Sequence, residues 1–256
     1  HIQNGQMKRG KTMKAAEKTI FVGDFETTVY EGQSYTEVWA SALVEIGSEN
    51  VIIHSSIEEA YNYLTGLKKD VVVYYHNLKF DGVFILNYLF MNGYEWVGNK
   101  EDIKDNTFTT LITDMGQFYS ITVYFKKYNR KYRKVEFFDS LKIFPNFSVE
   151  RVAEGFNLPI RKLKIDYNEH RSINHELTEE EIAYIRNDVE IMARALSIMF
   201  DQGLDKITIA SDAMSYFKNS FVGFRKKFPK LPDDVDSAIR KSYRGGFTYV
   251  NEVWKE

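Results

Sequence analysis

Four acidic residues in three separated motifs are the groups through which this chain could do chemistry: Asp24 and Glu26, then Asp81, then Asp188. Asp24-Phe25-Glu26 lies in the apolar stretch Thr19–Thr27, which reads as a β-strand. Side chains alternate faces along a strand, so Asp24 and Glu26 point the same way. Asp81 closes the run Tyr74-Tyr-His-Asn-Leu-Lys-Phe-Asp81. Asp188 closes Tyr184-Ile-Arg-Asn-Asp188 on an expected helix, where the i, i+4 spacing sets Tyr184 and Asp188 on neighbouring turns of one face. Brought together, the three motifs make a four-carboxylate pocket with a phenol beside it, the equipment of two-metal-ion phosphodiester hydrolysis. Two carboxylates about 4 Å apart repel by roughly 4 kcal/mol at an effective dielectric of about 20. Several such pairs must therefore be protonated or bind cations. Oxygen donors without cysteine favour two Mg²⁺ or Mn²⁺ ions over Zn²⁺. Each motif alone says little, because an Asp-x-Glu on a strand is usually an exposed polar face and a helical Tyr-x-x-x-Asp is common. Their joint order carries the argument.

The elements that must position these groups can be read from periodicity. Thr19–Thr28, Glu37–Ile46 and Asn50–Ser55 read as a meander at one edge of a sheet. Ile57, Ala60, Tyr61, Leu64 and Leu67 keep helical spacing. Val71–Tyr75 is a short apolar run suited to a fully buried strand. The helix after Asn77 carries Val83, Phe84, Leu86, Asn87 and Leu89 and is expected to be mostly buried. Met115–Tyr128 and Arg133–Ser140 are expected to pair as a hairpin. The last strong helix opens on the capping box Thr178-Glu-Glu-Glu181 and stops at Gln202-Gly203. Asp188 sits at the edge of its apolar stripe, beside Ile185 and Val189, and a carboxylate there needs a partner. The pattern gives a mixed α/β domain of the ribonuclease H-like type, a sheet flanked by helices.

The motif order resembles the 3′→5′ proofreading exonuclease domain of family B DNA polymerases, in the protein-primed branch of phages with linear genomes. Phe21-Val-Gly-Asp-Phe-Glu-Thr-Thr28 is similar to that family's first exonuclease motif. Tyr74-Tyr-His-Asn-Leu-Lys-Phe-Asp-Gly82 is similar to the second, and Tyr184-Ile-Arg-Asn-Asp188 to the third. Phe138-Asp-Ser-Leu-Lys142, Leu158–Tyr167, Gln202-Gly-Leu-Asp205 and Tyr243-Arg-Gly-Gly246 match further segments, so the resemblance covers about residues 19–254. It implies the same ribonuclease H-like fold. It also implies that Asp24, Glu26 and Asp188 ligate one metal, that Asp24 bridges to a second, and that Asp81 holds the second. By the same resemblance Tyr184 orients the attacking water and Lys162 the phosphate, with Arg161 and Lys164 close enough for a one-residue shift to reassign that role. Thr27, Tyr74, His76, Asn77, Phe80, Phe84, Ser140, Leu141 and Tyr167 match contacts to single-stranded DNA or to a terminal priming protein. Tyr243, Arg244, Gly245 and Gly246 match the segment linking synthesis and editing, where two glycines permit close backbone approach to phosphate. The family's Asp-x-x-Ser-Leu-Tyr and Asp-Thr-Asp polymerase motifs do not occur in this sequence. The expected organisation is a tag remnant and tail over 1–18, an exonuclease domain over 19–205, and a linker with the start of a palm region over 206–256.

Composition agrees with a nucleic-acid enzyme. Hydrophobic content of 44% and aromatic content of 15% suffice for a buried core. The net charge of −2 divides unevenly: residues 206–256 hold ten Lys/Arg against six Asp/Glu, or +4, which leaves −6 on the first 205. Lys126–Lys134 packs six basic residues into nine with two tyrosines, either a solvated hairpin tip or a backbone-binding loop. No run approaches the roughly 18 apolar residues needed to span a membrane. The absence of cysteine fits a reducing host cytoplasm, and the expected state is a monomer. Two other functions compete: a stand-alone RNA-trimming exonuclease, and a non-catalytic module that docks DNA or a priming protein. The intact carboxylate set argues against the module, and Tyr243-Arg-Gly-Gly246 against RNA trimming.

Overall fold

The first strand, β1 (Thr19–Thr27), lies inside the sheet and buries both faces. Val22 joins one core cluster, while Phe21 and Phe25 join the cluster on the opposite side. Strand alternation therefore sends Asp24 and Glu26 to the Val22 face. A computed structural model describes residues 18–128, 130–166, 169–173 and 175–242. Seven further strands follow: β2 (Val38–Glu45), β3 (Val51–His54), β4 (Val71–Tyr75), β5 (Glu95–Trp96), β6 (Thr107–Ile112), β7 (Phe118–Tyr128) and β8 (Lys131–Asp139). They form one mixed sheet in the order β3-β2-β1-β4-β8-β7-β6-β5. The β1–β4 and β4–β8 pairs are parallel; β1–β2, β2–β3, β6–β7 and β7–β8 are antiparallel.

Helices cover both faces. On one side lie α1 (Ile57–Gly66) and α2 (Leu78–Met91), packed on Phe21, Leu43, Val73 and Tyr75. On the other lie α3 (Val149–Gly155) and α4 (Glu179–Asp201), packed on Val22, Trp39, Ala42 and Val72. The expected capping box opens α4: the Thr178 hydroxyl accepts from the Glu181 amide at 3.2 Å, and Glu181 accepts from the Thr178 amide at 3.0 Å.

The structure adds two strands and corrects two expectations. The strands β5 and β6 had no sequence signature: one is two residues long, and Thr107–Ile112 lacks clean alternation. The hairpin strand starts at Phe118 rather than Met115, because Thr113–Gly116 forms a turn closed by Gly116 N donating to the Thr113 carbonyl at 2.8 Å. The helix α2 is not mostly buried. Its apolar residues are spread around the axis, and only Leu78, Asp81, Gly82, Ile85 and Leu89 are buried, leaving Phe80 and Val83 about half exposed.

The chain divides into two compact units that meet at Asp212 and Ala213. The first holds the sheet. The second holds α6 (Phe224–Lys227), α7 (Asp233–Ser242) and most of α5 (Ile209–Ser220), with Phe217, Phe221, Phe224 and Phe228 in ring contact. Among the described residues no helix is long and apolar enough to cross a membrane.

Candidate functional site

The pocket forms where β1 outruns its neighbour. Pairing of β1 with β4 ends at Gly23–Tyr75, so the backbone from Asp24 onward is uncovered on that side. The chain leaves β4 at His76 and turns into α2 through Asn77, whose φ of 81° is left-handed, a conformation asparagine tolerates. The Asn77 side chain makes no cap hydrogen bond; Asp139 at the end of β8 does the capping. Its Oδ1 accepts from the amides of Asn77, Leu78 and Leu141 at 3.1, 3.2 and 3.1 Å. That anchor places Asp81, in the first turn of α2, over the carboxyl end of β1. Ligand sites in open α/β sheets favour this end of parallel strands.

Asp24, Glu26, Asp81 and Asp188 line this one cleft together with Lys162, Tyr184, His76, Asn77 and Phe80. Burial and then the Asp188 charge push the Asp24 carboxyl up to about 7, against the pull of Lys162 and the Phe25 amide. Burial and the charges of Asp24 and Asp188 push Glu26 up to about 9. Burial and Asp24 hold Asp81 well above the usual carboxylate range. Burial also raises Asp188, although the Lys162 ammonium and the Tyr184 hydroxyl both bond to it and oppose the rise. Lys162 Nζ donates to Asp188 Oδ2 and, at 3.2 Å, to the Tyr184 hydroxyl. The partner that a carboxylate at the edge of an apolar stripe needs is therefore Lys162.

The donor set fits hard divalent cations. Asp81 Oδ1 and Asp188 Oδ1 are buried without a hydrogen-bond partner, a costly state. The clustered carboxylates destabilise one another's charge, and all donors are oxygens. No three Asp, Glu, His or Cys side chains among the described residues converge on a single cation position. Instead the Lys162 ammonium supplies the local compensating charge.

The remaining candidates divide by position. Phe80 is 48% exposed at the rim, with its ring 5.5 Å from that of Phe84. Phe84 itself is half-buried and packs against Phe25. Burial lowers the pKa of His76; Nε2 donates to the Phe147 carbonyl at 2.7 Å and Nδ1 lies 2.9 Å from the Ser140 hydroxyl. Ser140 is 1% exposed and acts behind His76 rather than at the surface. Leu141 and Asn77 line an adjoining cleft of about 750 Å³. Thr27 lines a small recess with Glu26 and Arg171. Tyr74 is not in the cleft: it is 4% exposed, with its ring against Phe138 and Phe200 in the core. The buried fate of a β4 residue flanked by parallel strands explains this. Tyr167, Tyr243, Arg244, Gly245 and Gly246 lie outside the described residues. In the basic hairpin, Lys127 stacks on Tyr132, Arg133 on Phe125, and Lys134 pairs with Glu136.

Sequence reasoning missed three contributors. Asp139 was visible only as part of a matched string, and its capping role depends on a contact 61–62 residues away in sequence. Gly23 leaves room for Tyr75, since a β-carbon there would stand 2.8 Å from Tyr75 Cζ and 2.9 Å from its hydroxyl. Arg171 is 5% exposed beside Glu26, and nothing in the local sequence marks it as buried.

A family model described as DNA polymerase type B, organellar and viral, matches residues 66–176 and 163–256. The DNA polymerase of Bacillus phage Nf is 43% identical over 242 residues, covering 93% of this chain and 41% of that protein. That of Bacillus phage phi29 is 38% identical over 247 residues, covering 95% and 42%. The structure of phi29 DNA polymerase complexed with single-stranded DNA superposes with a TM-score of 0.79 at 37% identity, over 94% of this chain and 42% of that one. Its orthorhombic crystal form gives 0.82. The chain thus spans about two fifths of the length of the curated relatives it matches.

Proposed function

Because this chain belongs to the organellar and viral type B DNA polymerases, we propose that it is the editing region of a protein-primed phage replicase. It removes nucleoside monophosphates from the 3′ end of single-stranded DNA by metal-dependent hydrolysis. One observation carries the reading: Asp24, Glu26, Asp81 and Asp188 share a cleft with Tyr184 and Lys162, and two of the four carboxylates keep a buried, unpartnered oxygen. Asp24, Glu26 and Asp188, which do not converge on one position in this structure, would be drawn together to hold one divalent ion, and Asp81 with Asp24 would hold a second. Ions so bound would activate the attacking water and stabilise the leaving 3′ oxygen.

The chain's own groups have separate tasks. The Lys162 ammonium holds positive charge at the mouth of the carboxylate cluster, where the scissile phosphate must enter. The Tyr184 hydroxyl, bonded to both Lys162 and Asp188, is fixed to orient the attacking water by a hydrogen bond. The exposed Phe80 ring offers a stacking platform that accepts any base, as editing requires. His76, held by Ser140 and Phe147, stiffens the wall between β4 and α2. DNA as the ligand is supported by the solved complexes of the phi29 relative with single-stranded and primer-template DNA.

A gel assay tests this directly. A 5′-labelled DNA strand should shorten stepwise from its 3′ end with Mg²⁺ or Mn²⁺ and stay intact in EDTA. Degradation of RNA in preference to DNA, or no degradation of either, would overturn the reading.

A further inference from the structure

The segment between α3 and α4 carries Lys162, yet its described residues form neither helix nor strand. Without a backbone ladder, its position depends on side-chain ties. Near Lys162 the tie is Asn187 on α4, whose Nδ2 donates to the Arg161 carbonyl at 2.9 Å. Farther on, the tie is Arg171. Its guanidinium is nearly sealed from solvent and makes four hydrogen bonds: Nε to Glu181 Oε1, Nη1 to the Asp166 carbonyl at 2.7 Å and the Glu169 carbonyl at 3.3 Å, and Nη2 to Glu169 Oε2 at 3.0 Å. It also lies over the buried Trp39 ring, 5.5 Å from its centre.

Glu181 is the fixed end of this tie. Its second oxygen closes the α4 capping box and meets His175 Nε2 at 2.8 Å. One helical turn beyond it stands Tyr184, and a further turn on, Asp188. Arg171 thus gathers two loop carbonyls, and joins the loop to the helix end that presents the groups Lys162 must meet.

We infer that Arg171 is a positioning residue: it locks the loop to the start of α4 so that the Lys162 ammonium is held against Tyr184 and Asp188. This rests on the exonuclease reading above. The rigid planar fork is what the role needs. A lysine keeps the charge but cannot direct bonds to Glu181 and two carbonyls together. A lock of this kind acts on the chemical step. A misplacement of about 1 Å from a remote substitution can slow a reaction on the order of 10²-fold, while leaving the strand-binding rim of Phe80 untouched.

The test is a double-mutant cycle in saturated single-turnover hydrolysis of single-stranded DNA with Mn²⁺, using Arg171→Gln, Lys162→Ala and both together. Strand binding and thermal unfolding are measured on each protein. Arg171→Gln should lower the saturated rate roughly 10²-fold with strand affinity kept within about twofold. In the Lys162→Ala background the same change should cost less than about threefold, because the group it positions is gone. Arg171→Lys should not restore the rate. Should Arg171→Gln fail to fold, Asn187→Ala, which cuts the other tie, takes its place in the cycle with the same expectation. Equal losses in both backgrounds, or full rescue by lysine, would overturn the inference while leaving the nuclease reading intact. A wild type without hydrolysis would overturn both.

Discussion

Neutralising Asp24 and Glu26 together should make the metal-free protein more stable, and only above a defined pH. Both carboxyls titrate higher in the folded chain than in the unfolded one, Asp24 at about 7 against 3.8 and Glu26 at about 9 against 4.5. Between pH 4 and 9 the folded state therefore binds more protons than the unfolded state, and stability falls as pH rises through that window. Each pKa step of one is worth about 1.4 kcal/mol, so full ionisation costs about 4 kcal/mol at Asp24 and about 6 kcal/mol at Glu26. Each figure includes repulsion from neighbouring acids, so the two are not summed, and the smaller is taken as the lower bound. The assay is urea unfolding in EDTA at pH 3.5 and pH 9, on wild type and on the Asp24→Asn, Glu26→Gln double variant. The two should match within about 1 kcal/mol at pH 3.5, below both unfolded pKa values, and the variant should lead by at least about 4 kcal/mol at pH 9. Parallel pH dependence in the two proteins would refute the claim that these carboxylates are buried against one another.

Tyr184→Phe removes only the hydroxyl bonded to Lys162 and Asp188, and should lower single-turnover hydrolysis roughly 10²-fold with strand binding unchanged; a normal saturated rate with weakened binding would make the tyrosine a contact residue. Phe80→Ala should do the opposite, losing about 1–3 kcal/mol of stacking, or roughly 5–150-fold in affinity for a single strand, as read by fluorescence titration. Gly23→Ala should destabilise the fold by about 1–3 kcal/mol in urea unfolding, because the new methyl meets the buried Tyr75 ring in a core with no slack.

The sequence was most readable where local pattern and tertiary demand agree. Val71–Tyr75 is bounded as its apolar run suggests, and the Thr178–Glu181 capping box opens the helix it announces. The common face of Asp24 and Glu26 follows from strand periodicity alone, and the meeting of Asp81 with them follows from the resemblance. Contacts between distant segments were less readable. Asp139 looks like one of many acids, and becomes an α2 cap only because β8 lies parallel to β4. Tyr74 and Tyr75 are adjacent and chemically identical, yet strand alternation puts them in opposite cores, Tyr75 beside the carboxylates and Tyr74 against Phe138. The apolar residues of helix α2 are spread around its axis, so its sequence could not say which aromatic faces water.

The proposed function requires Asp24, Glu26, Asp81 and Asp188 together to hold the metal ions that cut the 3′ end. The most direct measurement is anomalous diffraction at the manganese edge from the chain crystallised with Mn²⁺ and a short, phosphorothioate-terminated DNA strand. Two manganese peaks are expected beside the terminal phosphate, with Asp24 touching both, Glu26 and Asp188 on one, and Asp81 on the other. Manganese bound away from Asp24, or a 3′ terminus lodged outside this cleft, would contradict it.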